Sequence, residues 1–399
     1  MPIRGVPSGF VPWCGLALAG LIPSHGAFAA SYLEIYSFQG GSDGSVPLGG
    51  VIADKAGNLY GTTSGGGTHN GGVVFSIDTH GKENVLYNFC SSLNCADGES
   101  PAGSLLLRKG DLYGTTVDGG GGRGTVFRLA PGGTETVLHS FGSGNDGTYP
   151  GAALIADGLG NFYGTTTQGG TIGYGTVFKV APDLFEIVLY SFQGGNDGAF
   201  PQGDLIADKD GNLYGTTSQG GYFGCNGGSG CGTVFKIDSN GAETILRAFL
   251  GGRYGAYPDG GLIMDSTGNL YGTTSAGGSL HGNGNGCGTI FEITPSGEEV
   301  VLYSFGRGRH GCEARGSLVA DGAGGFYGTA FEGGYYNDGV VFSARKSGAI
   351  RVPHAFWGDP DGSFPNGSLT LSDNGILFGT TGAGGSDNSG TVFKLVVPK

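Results

Sequence analysis

The residues best equipped for chemistry crowd into one stretch, Gly306-Arg307-Gly308-Arg309-His310-Gly311-Cys312-Glu313-Ala314-Arg315. Three guanidinium groups, an imidazole and a carboxylate stand close together in a chain with only 13% charged residues. Arginine forks bind carboxylates through paired hydrogen bonds, so the stretch suits an anionic ligand. Arg253, Tyr254 and Asp259 lie upstream, His281 lies between, and Tyr335 and Tyr336 follow. Tyrosine rings add apolar faces on which sugars stack. For β-elimination on a uronate, Arg309 and Arg315 could clamp the carboxylate while His310 or Tyr254 takes the C5 proton. For glycoside hydrolysis, Asp259 and Glu313 are the candidate carboxyl pair. The competing reading is that these are ordinary loop charges, paired with Glu313 and Asp259 and bathed in solvent.

What must hold these residues is a repeat. An aromatic-Gly-Thr core recurs with its glycine at positions 61, 114, 164, 215, 272, 328 and 379, intervals of 53, 50, 51, 57, 56 and 51 residues. Seven copies at this period indicate a β-propeller. Each copy parses into four short strands, rich in β-branched and aromatic residues and separated by Gly, Asn and Asp turns. In the fourth copy strand a is 205–208, b is 213–217, c is 233–237 and d is 243–249. No segment carries a helical period.

The ends specify how the ring closes. A d strand, 33–38, precedes the first a strand, and the last copy stops after its c strand, 391–396. Pairing the two completes blade seven and removes an exposed sheet edge. The expected fold is thus all-β: a seven-bladed propeller with four antiparallel strands per blade, closed by its own N-terminal strand.

Strand alternation places all b–c and d–a loops on one face. The d–a loops carry Asp-Gly-x-x-Pro-x-Gly, at 43–49, 97–103, 146–151 (read as one residue shorter), 197–203 and 361–367. The residue after the proline should rim the channel mouth. Around the ring these are Leu48, Ala102, Gly151, Gln202, Asp259, Arg315 and Asn366: three bland neighbours, then four polar ones. His139 and His354 stand where most d strands have Tyr and are expected to be outer-strand substitutions. His69 and His80 are assigned no role.

Residues 1–29 read as a secretory signal, with Arg4 before an apolar segment and Ala27-Phe28-Ala29 as the cleavage site. The propeller would occupy 30–399, secreted or periplasmic, without a membrane anchor after cleavage. Six cysteines remain: Cys90/Cys95 and Cys225/Cys231 can staple single loops, which leaves Cys287 with Cys312. No spacing suggests a zinc site, and no cofactor or metal is expected. A net charge of −13 argues against nucleic acid as a partner. The 89 glycines have no collagen period, and 11% aromatics is too many for a disordered chain.

The units at 208–217 (Asp-x-x-Gly-Asn-Leu-Tyr-Gly-Thr-Thr), 232–237 (Gly-Thr-Val-Phe-Lys-Ile) and 188–192 (Val-Leu-Tyr-Ser-Phe) resemble the GloVer tandem-repeat proteins. That resemblance spans the mature chain and implies an exported bacterial repeat protein, with activity largely undefined. The turn-and-strand unit is also similar to the repeats of periplasmic sensor propellers, which implies ligand capture. The leading expectation is a monomeric propeller that binds a carbohydrate, an anionic glycan foremost, or a protein partner. A polysaccharide lyase, or else a glycoside hydrolase, is the alternative. The ligand-contact set is Gln202, Arg253, Asp259, His281, Arg307, Arg309, Glu313, Arg315, Tyr335, Tyr336 and Asn366.

Overall fold

The structure, a computed structural model, describes residues 30–142, 145–182, 185–278 and 286–397. The candidate signal segment and His281 fall outside these ranges. Seven antiparallel sheets form the blades of a propeller, each with strands a to d from the axis outward. In blade two the inner strand is split into Glu99–Pro101 and Leu106–Arg108, both pairing with Asp111–Asp118. No α-helix occurs among the described residues.

Central strand c shows why the repeat folds this way. In Thr233–Ile237 every residue but Lys236 is buried, because a c strand is covered by a neighbouring blade on each face. Its phenylalanine meets the phenylalanine that ends the preceding blade's d strand, edge to face. Phe192–Phe235 have centroids 5.1 Å apart, Phe356–Phe393 repeat the contact at 5.2 Å between blades six and seven, and Phe38, at the end of the N-terminal strand, meets Phe75 of blade one at 5.1 Å. The glycine of Tyr-Gly-Thr-Thr makes room for this ring: a Cβ on Gly215 would stand 2.6 Å from Phe235 Cζ.

Closure follows the expected pairing. Ser31–Ser37 runs antiparallel to Thr391–Val396, with Ser31 opposite Val396 and Ser37 opposite Thr391. The inner strands are shorter than their sequence pattern predicts. Blade four has only Ile206–Ala207, and blade seven only Thr370–Leu371. The preceding N–H groups bond across blades rather than to strand b. Gly50 donates to Ser104 Oγ at 2.9 Å, Ala153 to Asp204 Oδ1 at 2.8 Å, and Gly261 to Ser317 Oγ at 3.0 Å.

All three expected disulfides form. Cys90–Cys95 and Cys225–Cys231 close single loops, and Cys287–Cys312, with Cα atoms 4.5 Å apart, joins the b–c loop of blade five to the next d–a loop. These bridges fit a non-cytoplasmic compartment. No helix of the described residues is long and apolar enough to cross a membrane.

The outer strands hold a second repeated feature. The penultimate aromatic of d pairs with the aspartate opening the next loop: Tyr36 Oη donates to Asp43 at 2.9 Å, and Tyr190 to Asp197 at 2.6 Å. His139 and His354 take the tyrosine place, 3.2 and 3.0 Å from Asp146 and Asp361. At His354–Asp361 the following blade places Tyr32, stacked on the imidazole at 3.8 Å, whereas at four other such pairs it places a glutamate. Glu83, Glu135, Glu186 and Glu243 each bury an Oε1 that finds no hydrogen-bond donor. Burial, reinforced by Asp43, Asp97, Asp146 and Asp197 respectively, pushes all four carboxyls up to about 7.

Two predictions follow from closure and from these carboxyls. Deleting residues 31–37 should sharply lower the melting temperature, since it strips strand c of its partner and exposes the Phe356–Phe393 contact. An unchanged melting temperature by calorimetry would refute closure by this strand. Second, the folded chain holds protons on these glutamates that the unfolded chain releases near pH 4.3, roughly the free-glutamate value. Stability from this source is therefore full below that pH and is lost as pH rises through about 7. Melting temperatures from pH 5 to 8 should decline, and Glu186→Gln should flatten the decline. A profile identical in the variant would refute the assignment.

Candidate channel-mouth site

The seven residues expected at the mouth all line one cavity of about 490 Å3 on the axis. Leu48, Ala102 and Gly151 form one side; Gln202, Asp259, Arg315 and Asn366 form the other. The third copy of the loop motif proves to be full length: Ala152 stands at the position of the final glycine, and its carbonyl accepts from Thr115 Oγ1 at 3.0 Å.

Neighbouring groups fix the polar side. Ser275 Oγ donates to Asp259 at 2.6 Å, and Gln202 Nε2 lies 3.3 Å from Ser218 Oγ. Arg315 pairs with Glu313 at 2.5 Å and lies over the Phe331 ring, 4.2 Å from its centroid. Phe331 in turn stacks on Phe364. Glu313 holds a left-handed backbone, φ 60°, as do its counterparts Val46, Phe200 and Phe364. That conformation aims its N–H at the carbonyl of Cys287 in the preceding blade, 2.9 Å away.

One layer below lies a residue the sequence reading passed over. At the position where other copies have Gly, Ser or Ala, blade four has Asp204. Its carboxylate accepts from Ala153 N–H and, past blade five, from Ser317 Oγ of blade six at 3.2 Å. Gly261 of the intervening blade lets it pass, since a Cβ there would stand 2.7 Å from Ser317 Oγ and 3.0 Å from Asp204 Cβ. Asp204 touches the channel, yet protein surrounds that channel on every side, so burial raises its carboxyl above the usual range against these two hydrogen bonds. Asp259 is raised by burial too, with Ser275 and Arg315 opposing. Ser104, Ser317 and Ser368 complete the polar floor. A carboxylate breaking a Gly/Ser/Ala column was the available signal.

The remaining expected residues lie away from this cup. His310 and Tyr254 do not line it. They occupy the loop-aspartate place of the outer pairs: Tyr303 Oη lies 2.7 Å from His310 Nδ1, and Arg247 stacks over Tyr254 with 5.9 Å to its centroid. Glu299 of the next blade matches that change by pairing with Arg247 at 2.7 Å. Arg253, Arg307 and Arg309 are exposed on the loops, as are Tyr335 and Tyr336. Neither lyase base candidate is therefore brought beside Arg315. Among the described residues, the one group close enough to share an ion is Cys90, Cys95 and Glu99, whose two sulfurs are already bridged.

The Gloeobacter/Verrucomicrobia repeat family matches over residues 21–122, 90–283 and 225–398, and the chain belongs to it. A comparison with curated protein sequences finds no match. Among solved structures, the chain resembles the extracellular domain of a putative hybrid two-component system from B. thetaiotaomicron. That likeness has TM-score 0.56 and 11% identity over 90% of this chain and 39% of the other. A gluconolactonase from Xanthomonas campestris matches at TM-score 0.47 and 13% identity over 92% and 90% of the two chains. These likenesses concern the fold.

Ionised Asp204 should destabilise the channel at neutral pH, because its raised carboxyl loses stability as pH climbs through its folded value. Asp204→Asn keeps an oxygen for Ala153 N–H and removes the charge. Its melting temperature should exceed that of the parent at pH 8, with the gap narrowing toward pH 4. A lower melting temperature at pH 8 would mean the ionised form is the stabilising one.

Proposed function

We propose that this protein is an exported carbohydrate-binding propeller whose channel mouth receives the hydroxyl groups of a sugar. The supporting observation is the one-sided ring: Gln202, Asp259, Arg315 and Asn366 grouped together above Asp204, opposite Leu48, Ala102 and Gly151. Ring closure treats every blade alike and gives no reason for such grouping. Amide, carboxylate and guanidinium groups held by Ser218, Ser275 and Glu313 are pre-oriented partners for vicinal hydroxyls. The cup's size falls in the range of small-molecule sites, roughly 300–1,000 Å3. Capture without turnover is favoured because the His310 imidazole is bonded to Tyr303 in an outer strand pair and the Tyr254 hydroxyl accepts from Arg253, both away from the cup.

The test is calorimetric titration with neutral and acidic oligosaccharides, while absorbance of unsaturated uronates and release of reducing ends are followed. At least one sugar class should bind without turnover. Gln202→Ala and Asp259→Ala should each weaken it on the order of tenfold, the effect of about 1.4 kcal/mol for a lost hydrogen bond. Ala102→Ser, on the bland side, should change little. Unaltered affinity in both polar-side variants would remove the mouth from the account, and accumulation of unsaturated products would replace capture with a lyase.

A further inference from the structure

We infer that the b–c loops of blades four and six and the d–a loops entering blades five and six, outside the cup, hold an extended acidic polysaccharide whose end enters the mouth. This rests on the carbohydrate reading above and adds the length and charge of the ligand. The first observation is a crescent of exposed rings. Tyr222 and Phe223 in the b–c loop of blade four are 52% and 53% exposed, and Tyr335 and Tyr336 in that of blade six are 76% and 59% exposed. The b–c loops of blades one and two, 64–72 and 119–124, contain no aromatic residue. The opposite face exposes Phe185 as its one such ring among the described residues. Bare rings cost solvation, and the two pairs stand on the loops over the polar half of the mouth, flanked on the same face by single rings, Tyr174 in blade three and Trp357 before blade seven, 37% and 48% exposed.

The second observation is charge. In a chain of net charge −13, the d–a loops entering blades five and six expose Arg253, Arg307 and Arg309. None of the three has a carboxylate within ion-pair distance among the described residues. Arg253 is braced instead by Tyr254, whose ring centroid lies 4.7 Å away and whose Oη accepts from Nη2 at 2.6 Å. Toward blade seven Asp338 and Asp359 reverse the sign, so the basic track ends there. Guanidinium groups spaced between single exposed rings match a polymer that alternates carboxylates with the apolar faces of sugar rings. A protein partner would instead favour a continuous apolar patch, whereas these rings stand on Gly-, Asn- and Ser-rich loops.

The experiment compares dimers and hexamers of galacturonate, glucuronate, mannuronate and guluronate with cellobiose, cellohexaose and poly-L-glutamate, by calorimetry at low and high salt. For at least one uronate, the hexamer should bind on the order of tenfold more tightly than its dimer, as gained charge-assisted contacts require. Salt should shrink that gain. Arg307→Gln/Arg309→Gln and Tyr335→Ala/Tyr336→Ala, all exposed, should remove the gain while leaving dimer affinity and melting temperature unchanged. Any of three results overturns the inference: no gain with length, a gain that survives both double variants, or equal affinity for cellohexaose or poly-L-glutamate. Dimer binding that depends on Gln202 without a length gain defeats this inference alone. No binding of any saccharide defeats the carbohydrate reading along with it.

Discussion

Seven inner strands can meet around one axis only if their backbones come nearly into contact. A Cβ on Gly203 would lie 2.5 Å from the carbonyl oxygen of Gly260, and one on Gly49 would lie 2.8 Å from that of Ala102. A side chain there would have to push a blade outward. In six blades the threonine after the aromatic-Gly pair bonds the carbonyl at this junction, as Thr216 to Gly260 at 3.1 Å and Thr380 to Gly49, closing the ring, at 2.9 Å. The Gly-Thr-Thr repeat is thus an axial clamp. Blade three departs from it, for Thr165 Oγ1 is buried without a partner.

This clamp confines where function can be written. The junction position is glycine in six blades and Ala152 in blade three, while the residue before it faces the mouth and the residue after it faces the channel floor. Those two flanking columns carry most of the variation at the axis. They vary in the same sector: Gln202 and Asp204 flank one clamp glycine, Arg315 and Ser317 another, Asn366 and Ser368 a third. The Asp204–Ser317 bond links blades four and six past blade five, so the polar side of the mouth rests on a connected floor.

The same logic separates what the sequence made legible from what it concealed. Period, closure, loop face and mouth ring could be read because closure repeats one geometry seven times, and a repeated geometry leaves a repeated pattern. The disulfides followed from loop placement. His310 and Tyr254 misled because their deviation compensates for changes in three dimensions. Arg247 replaces a d-strand tyrosine, Tyr254 replaces the loop aspartate, and Glu299 of the next blade supplies the countercharge. In the following interface Tyr303 keeps the strand position, His310 replaces the aspartate, and apolar Ile350 stands where other blades place glutamate. An unusual residue there reports a neighbour's identity, which becomes visible only when the blades are side by side.

Arg315 illustrates the remaining difficulty. Its sequence setting announces a free cation, yet Glu313 and Phe331 hold it on opposite counts, one by charge and one by its ring face. A guanidinium so held has part of its charge offset and its direction fixed. Arg307 and Arg309 lie outside the cavity lining, exposed and without an ion pair among the described residues. The deviant loop therefore presents its guanidinium groups in two settings: Arg315 fixed at the cavity lining, and Arg307 and Arg309 exposed outside it.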